Sequence, residues 1–240
     1  MRSLPLSRVV CVILLPCALV AAQEIDLKGR IQLTKAGQPV KDASKAVVWL
    51  TPLGSTPVAP APVQRESDIP KLVQKDKSFQ PSLLVIPVGG KVEFPNHDPF
   101  FHNVFSLFDG KRFDLGLYES GTTRFVQFDK QGISFIFCNI HAQMSAVVIA
   151  LNTPYYAVSD AHGDYSFANV IPGRYEMHVF HPSVSAEALH DLEREITVSL
   201  DNSSLGTFTV AESNIELTHK NKYGVDYDRP EPDNPAYSHH

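Results

Sequence analysis

The sequence predicts an all-β protein built of sandwiches, and three observations carry that expectation. Short runs of alternating or β-branched apolar residues recur along the whole chain, and Gly, Pro, Asn and Asp turn signals separate them at close spacing. Pro (18) outnumbers Gly (13), and aromatic residues reach 10% of the 240 positions, a bias toward strands and turns over long helices. Only Ser185 to Leu192 reads as a brief helix. The formal charge is −5 with Lys and Arg dispersed, so no basic stripe exists on which to track a nucleic-acid backbone, and that function class is excluded.

Residues 1–22 read as a secretory signal that precedes a mature chain starting at Gln23. Arg2 and Arg8 form the positive start, Val9 to Val20 the apolar stretch, and Val20-Ala21-Ala22 a small-residue cleavage site. A membrane anchor is the competing reading, but the apolar stretch is interrupted by Pro16 and falls short of the roughly 20 residues a spanning helix needs. Pro16 before Cys17 also fits lipid attachment poorly. Cleavage removes two of the 21 basic residues and none of the 26 acidic ones, so the formal charge moves from −5 to −7. It also removes Cys11 and Cys17, leaving Cys138 as the lone thiol of a periplasmic or secreted protein, where an internal disulfide is impossible. Such a thiol is buried and inert, or intermolecular, or a metal ligand.

The mature chain opens with a half-buried strand, because Ile25, Leu27, Ile31 and Leu33 are apolar while Asp26, Lys28, Arg30 and Gln32 are polar. Further strands are expected at Ala46 to Leu50, Leu83 to Ile86, Val92 to Phe94, Asn103 to Leu107, Thr122 to Phe128, Ile133 to Cys138 and Ala146 to Leu151. Five more follow at Tyr155 to Val158, Tyr165 to Phe167, Tyr175 to Phe180, Arg194 to Leu200 and Gly206 to Val210. The Pro-rich stretch Thr51 to Pro70 reads as a semi-rigid connector. The end of the chain, over 213–240, has no periodic apolar face and is expected to be disordered or laid on the surface.

The chemistry concentrates in Phe137-Cys138-Asn139-Ile140-His141-Ala142-Gln143-Met144, a Cys-x2-His-x2-Met pattern that follows an apolar strand. A thiolate, an imidazole and a thioether on one tight loop can converge on one ion, and soft sulfur with nitrogen suits copper over magnesium or calcium. A blue-copper site needs a second imidazole from another strand, for which His97 and His102 are both available. Taken singly, the bland readings prevail: a strand Cys is a small buried hydrophobe and a loop His is solvated. Zinc is the rival metal, but structural zinc sites take more Cys or His and no Met, so Met144 discriminates.

With these residues in view, the region from Val73 to Asn152 resembles a cupredoxin, the blue-copper family of plastocyanin and amicyanin. The resemblance lies in Val92-Glu93-Phe94-Pro95-Asn96, in His102-Asn103-Val104, and in Cys138, His141 and Met144; the short Cys-to-Met loop is similar to that of amicyanin. It implies a Greek-key sandwich and a type 1 copper held by His102, Cys138 and His141, with Met144 as a long axial ligand. His102 is preferred to His97 on the family's His-Asn-Val pattern alone. Asn103 and Asn139 flank ligands and are candidates for outer hydrogen bonds, while Pro99, Phe100, Phe101, Ile140 and Ala142 could form an apolar patch by the His141 loop.

A second resemblance flanks the first. Asp160-x2-Gly163-x-Tyr165-x-Phe167 and Pro172-Gly173-x-Tyr175 are similar to the second half of a carboxypeptidase regulatory-like domain, a small transthyretin-like sandwich. Lys28-Gly29-Arg30-Ile31, Gly37-Gln38-Pro39-Val40 and Ala46 to Leu50 resemble its first half. The implied organisation is a split sandwich over 24–58 and 153–212 with the cupredoxin over 59–152 inserted in it. The combined architecture resembles that of exported methylamine-utilisation and plastocyanin-like proteins. In this family Asp160 and Asp164 are expected to form turns and not to bind calcium.

The function expected is therefore a non-enzymatic electron relay between redox-protein partners, with storage or delivery of copper as the alternative and a metal-free scaffold as the third. No His-x-His pair, nucleophile elbow, phosphate loop or HExxH helix occurs. His178 is expected on the wet face of a strand whose Tyr175, Met177 and Val179 face inward, and His162 in a turn.

Overall fold

A computed structural model describes residues 24–57, 59–107, 110–213 and 219–227, so the expected signal over 1–22 lies outside the described residues. In chain order the strands are β1 (Ile25–Lys35), β2 (Gln38–Pro39), β3 (Val47–Pro52), β4 (Val73–Lys75), β5 (Ser78–Gln80), β6 (Leu83–Pro87), β7 (Lys91–Pro95), β8 (His102–Ser106) and β9 (Phe113–Tyr118). They continue as β10 (Thr123–Gln127), β11 (Gly132–Cys138), β12 (Ser145–Leu151), β13 (Tyr156–Val158), β14 (Asp164–Val170), β15 (Gly173–Phe180), β16 (Arg194–Val198) and β17 (Ser204–Ala211). One α-helix among the described residues, α1 (Ala186–His190), starts where Ser185 Oγ accepts from the Ala188 N–H at 3.2 Å, inside the stretch expected to be helical. The protein is all-β, with its sheets packed as sandwiches. No helix among the described residues is long and apolar enough to cross a membrane.

Strands from the two ends of the chain pair with each other. One sheet runs β14-β1-β17 with β2 on β1, and a second runs β13-β3-β15-β16. Alternation explains their packing: Leu27, Ile31 and Leu33 of β1 meet Val48 and Leu50 of β3 and Tyr175, Met177 and Val179 of β15 in one buried cluster. Gly29 is required inside β1 because the ring of Tyr165 lies where its Cβ would be. Asp160 Oδ1 accepts from the His162 and Asp164 N–H groups at 2.8 and 2.9 Å, and Asp164 takes Arg30 through both carboxylate oxygens. Asp160 thus closes the turn as expected, whereas the Asp164 carboxylate, also expected to form the turn, instead ties β14 to β1 through Arg30.

The central strands form sheets of their own, β6-β12-β11-β8-β9 and β10-β7, around a core that includes Val92, Phe94, Val104, Ile136, Cys138, Met144 and Val148. β3 and β12 are buried on both faces, which is why each reads as an unbroken apolar run. Their second faces meet: Val47 and Trp49 with Phe180 pack against Val147, Ile149 and Leu151 and join the two sandwiches. This contact changes the expected setting of His178. Its side chain is turned from the Tyr175–Met177–Val179 core as expected, yet it is only 16% exposed, stacked on Trp49 with ring centroids 5.0 Å apart. It also meets Thr51 Oγ1 and Glu193 Oε1, both at 3.1 Å.

Candidate metal centre

The pairing of β8 with β11 brings the first two candidate ligands together. Val104 faces Cys138 in an antiparallel register, and side chains two apart on a strand share a face. His102 therefore points to the same side as Cys138, one diagonal step away. On β11 the inward series is Ser134, Ile136 and Cys138, so the thiol is delivered into the core at the strand's end. The chain then turns tightly: Met144 N–H donates to His141 O at 3.1 Å, and Cys138 N–H to Met144 O at 3.3 Å. This loop folds His141 back over the thiol and buries the Met144 side chain in the cluster that contains Cys138.

The three polar ligands converge. One ligand atom each from His102, Cys138 and His141 lie within 4.8 Å of one another, and all three residues are buried. Cys138 Sγ is 3.5 Å from His102 Nδ1 and 3.6 Å from His141 Nδ1, and the two imidazoles meet edge to face at 4.9 Å. A transition metal bound at about 2.0 Å to imidazole and 2.3 Å to thiolate, with angles between about 109° and 120°, needs nitrogen-to-sulfur separations of about 3.5 to 3.8 Å. The donors present fit such an ion. His97, the other imidazole left open by spacing, is exposed, and its backbone N–H is bound to Gln74 O at 2.8 Å; it is outside the cluster.

The surroundings disfavour a proton on the two imidazoles. Burial lowers the His141 pKa to about 4, with His102 and Lys77 adding to the effect against Asp98. Burial lowers His102 as well, opposed by its hydrogen bond to Asp98. Both imidazoles are thus neutral near pH 7 with a lone pair available. Burial pushes the Cys138 thiol up, while backbone N–H groups of Asn103, Ile140 and His141 pull it the other way by favouring thiolate.

Residues outside the ligand motif shape the site, and one of them, Asp98, was not legible in the sequence. Asp98, 3% exposed, accepts His102 Nε2 at 2.8 Å and the backbone N–H groups of Asp76 and Lys77 at 2.6 and 3.1 Å. Asn96 holds the loop that carries Asp98, accepting from Asp98 N–H at 3.0 Å and donating to Phe100 O at 2.8 Å. Phe100 lies across both imidazoles, 5.3 Å from His102 and 5.5 Å from His141. The two asparagines expected to make outer bonds do so: Asn103 Nδ2 donates to Asp114 Oδ1 at 2.9 Å, and Asn139 Oδ1 accepts from Lys222 N–H at 2.8 Å. Of the expected apolar patch, Pro99, Phe101 and Ala142 are exposed.

The solved structures that the chain matches include cupredoxins and a related copper enzyme. They include the purple cupredoxin from Nitrosopumilus maritimus, at 22% identity over 34% of this chain and 99% of that one, with a TM-score of 0.31. Amicyanin from Paracoccus versutus matches at 23% identity over 42% of this chain and 97% of that one, with a TM-score of 0.33. A copper-containing nitrite reductase from Thermus scotoductus SA-01 matches at 24% identity, covering 42% of this chain and 28% of the enzyme, with a TM-score of 0.34. No protein-family model matches the chain, and no curated protein does.

Proposed function

We propose that this protein is an exported type 1 copper protein that relays single electrons between redox-protein partners in the periplasm or outside the cell. The observation that carries the proposal is the convergence of His102 Nδ1 and His141 Nδ1 on Cys138 Sγ at 3.5 and 3.6 Å in a buried cluster. A His2Cys set with a methionine close by is the donor set of electron-transfer copper, and bound copper would supply a one-electron couple there. Cys138 would be the thiolate donor, His102 and His141 the imidazole donors, and Met144 the weak axial one.

The chain's own residues supply rigidity and dryness. Asp98 fixes the His102 ring and keeps its proton on Nε2, which leaves Nδ1 as the donor. Phe100 and the surrounding core exclude water from the imidazoles. A site so held changes little between oxidation states, which suits relay better than turnover of a substrate, and we read the protein as a carrier and not an enzyme. The flanking sheets are read as a split transthyretin-like sandwich over 24–58 and 153–212, supported by the pairing of β1 with β14 and of β3 with β13 and β15.

The test is the visible spectrum of the chain from Gln23 onward after addition of Cu(II), followed by reductive titration. An intense red-region band that bleaches on reduction and returns on reoxidation is expected. Bound copper without that band would replace relay by storage or delivery, and no binding would leave a scaffold.

A further inference from the structure

The described residues 219–227 lie against the candidate metal centre. Tyr227 O–H donates to the carbonyl of Cys138 at 2.6 Å. Lys222 makes two bonds of different kinds: its backbone N–H donates to Asn139 Oδ1 at 2.8 Å, and its Nζ to Asp114 Oδ2 at 2.7 Å. The other oxygen of Asp114 accepts from Asn103 Nδ2 at 2.9 Å. The His219 ring stacks on Phe137 at 4.1 Å and 23°, and Tyr227 Oη is 3.0 Å from His219 Nδ1.

The pattern has a common target. Asn103 follows His102 and Asn139 follows Cys138, so Lys222 ties together the residues next to two candidate ligands that lie 36 positions apart. Beyond the β8–β11 ladder, which pairs Phe137 with Phe105 and Cys138 with Val104, a further backbone bond runs from Asn139 N–H to Asn103 O at 2.8 Å. The strap adds the Asn139–Lys222–Asp114–Asn103 chain beside it and anchors the Cys138 carbonyl from a third side. Lys222 is itself presented by a closed turn, in which Asn221 Oδ1 accepts from the Tyr223 and Val225 N–H groups at 3.0 and 3.1 Å.

We propose that Lys222 and Tyr227 are positioning residues of this centre: the strap at 219–227 fixes the Cys138 thiol relative to His102 and restricts access to it. The inference rests on reading the His102–Cys138–His141 cluster as a metal centre. It concerns the chain with and without metal, because the contacts are made to backbone and side-chain atoms that do not ligate.

The experiment uses the full mature chain and the variants Tyr227→Phe and Lys222→Ala, with Cys138 as the lone thiol. Metal-free protein is reacted with an aromatic disulfide reagent, and the rate of Cys138 modification is compared with the thermal midpoint. Copper-loaded protein is then followed for the red-region band and for copper release to a chelator. Loss of one such hydrogen bond is expected to speed thiol modification and copper release each by about threefold to tenfold. Unchanged modification rates in both variants overturn the inference, including the case in which only the thermal midpoint falls, since that assigns the strap to general packing. Faster modification in a chain that binds no copper supports the strap while rejecting the electron-relay reading, so the two failures are separate.

Discussion

Asp98 Oδ2 stands 2.8 Å from His102 Nε2, with the two side chains 5% and 0% exposed, so a carboxylate is built into the core solely to hold one imidazole and the loop at 76–77. A buried carboxylate is costly unless its oxygens are satisfied, and here three N–H donors satisfy them. Replacing Asp98 by Asn keeps the shape but weakens the acceptor and can present N–H where an acceptor is needed. Asp98→Asn is expected to reduce copper affinity by about tenfold to a hundredfold, measured by competition with a chelator of known affinity. Affinity equal to wild type would show that the ring is oriented by packing alone.

The thiolate is the source of any intense colour, so Cys138→Ser is expected to abolish the red-region band. A persisting band in that variant would reject Cys138 as the ligand.

Met144 is buried in the cluster of Cys138 on the same short loop. An axial thioether favours Cu(II), and its removal shifts the balance toward Cu(I). Met144→Leu, close in volume, is expected to keep copper binding and to raise the reduction potential, read by redox titration of the band. A lower or unchanged potential would argue against an axial role.

Much of this architecture is legible in the sequence because each strand's burial follows from its neighbours in the chain. β1 alternates and is half-buried, and the apolar runs of β3 and β12 mark strands covered on both faces. β9 is not legible: Phe113–Tyr118 lies at a sheet edge beside an irregular register, and Gly116 at φ +66° breaks its alternation. β4 and β5 are three residues each, joined through Asp76 and Lys77 at positive φ, too short to show a period. The ligand loop is legible because Cys138, His141 and Met144 are local. Asp98, Lys222 and Tyr227 are not, because their partners are set by long-range folding and each acts through single hydrogen bonds, which leave no periodic face in the sequence.

Gly29 offers a check on the flanking sandwich that does not involve the metal centre. A Cβ there would run into the Tyr165 ring, which is buried and part of the core shared by β1, β3 and β15. Gly29→Ala is expected to destabilise the protein by about 1–3 kcal/mol, read from the urea midpoint, because the ring must leave its place. A change near zero would mean that the Tyr165 ring is not packed on β1.

Acid is expected to destabilise the metal-free protein before carboxylates titrate. In an unfolded chain an imidazole titrates near pH 6.5, whereas burial holds His141 at about 4 in the fold. Between those values the unfolded chain takes up a proton that the native state refuses, so stability falls as pH falls from about 6.5 toward about 4. His102, His181 and His219 are lowered chiefly by burial as well and add in the same direction. Below that window the carboxylate of Asp114 takes over: despite its burial it is held low by bonds from Lys222, Gly116 and Asn103, and protonating it removes part of the strap's anchorage. Urea midpoints are expected to be level above pH 7, then to decline steadily to pH 4. Midpoints that stay level from pH 7 to 4.5 would show imidazoles already solvated in the native state, and would remove the dry, neutral donor pair on which metal binding depends.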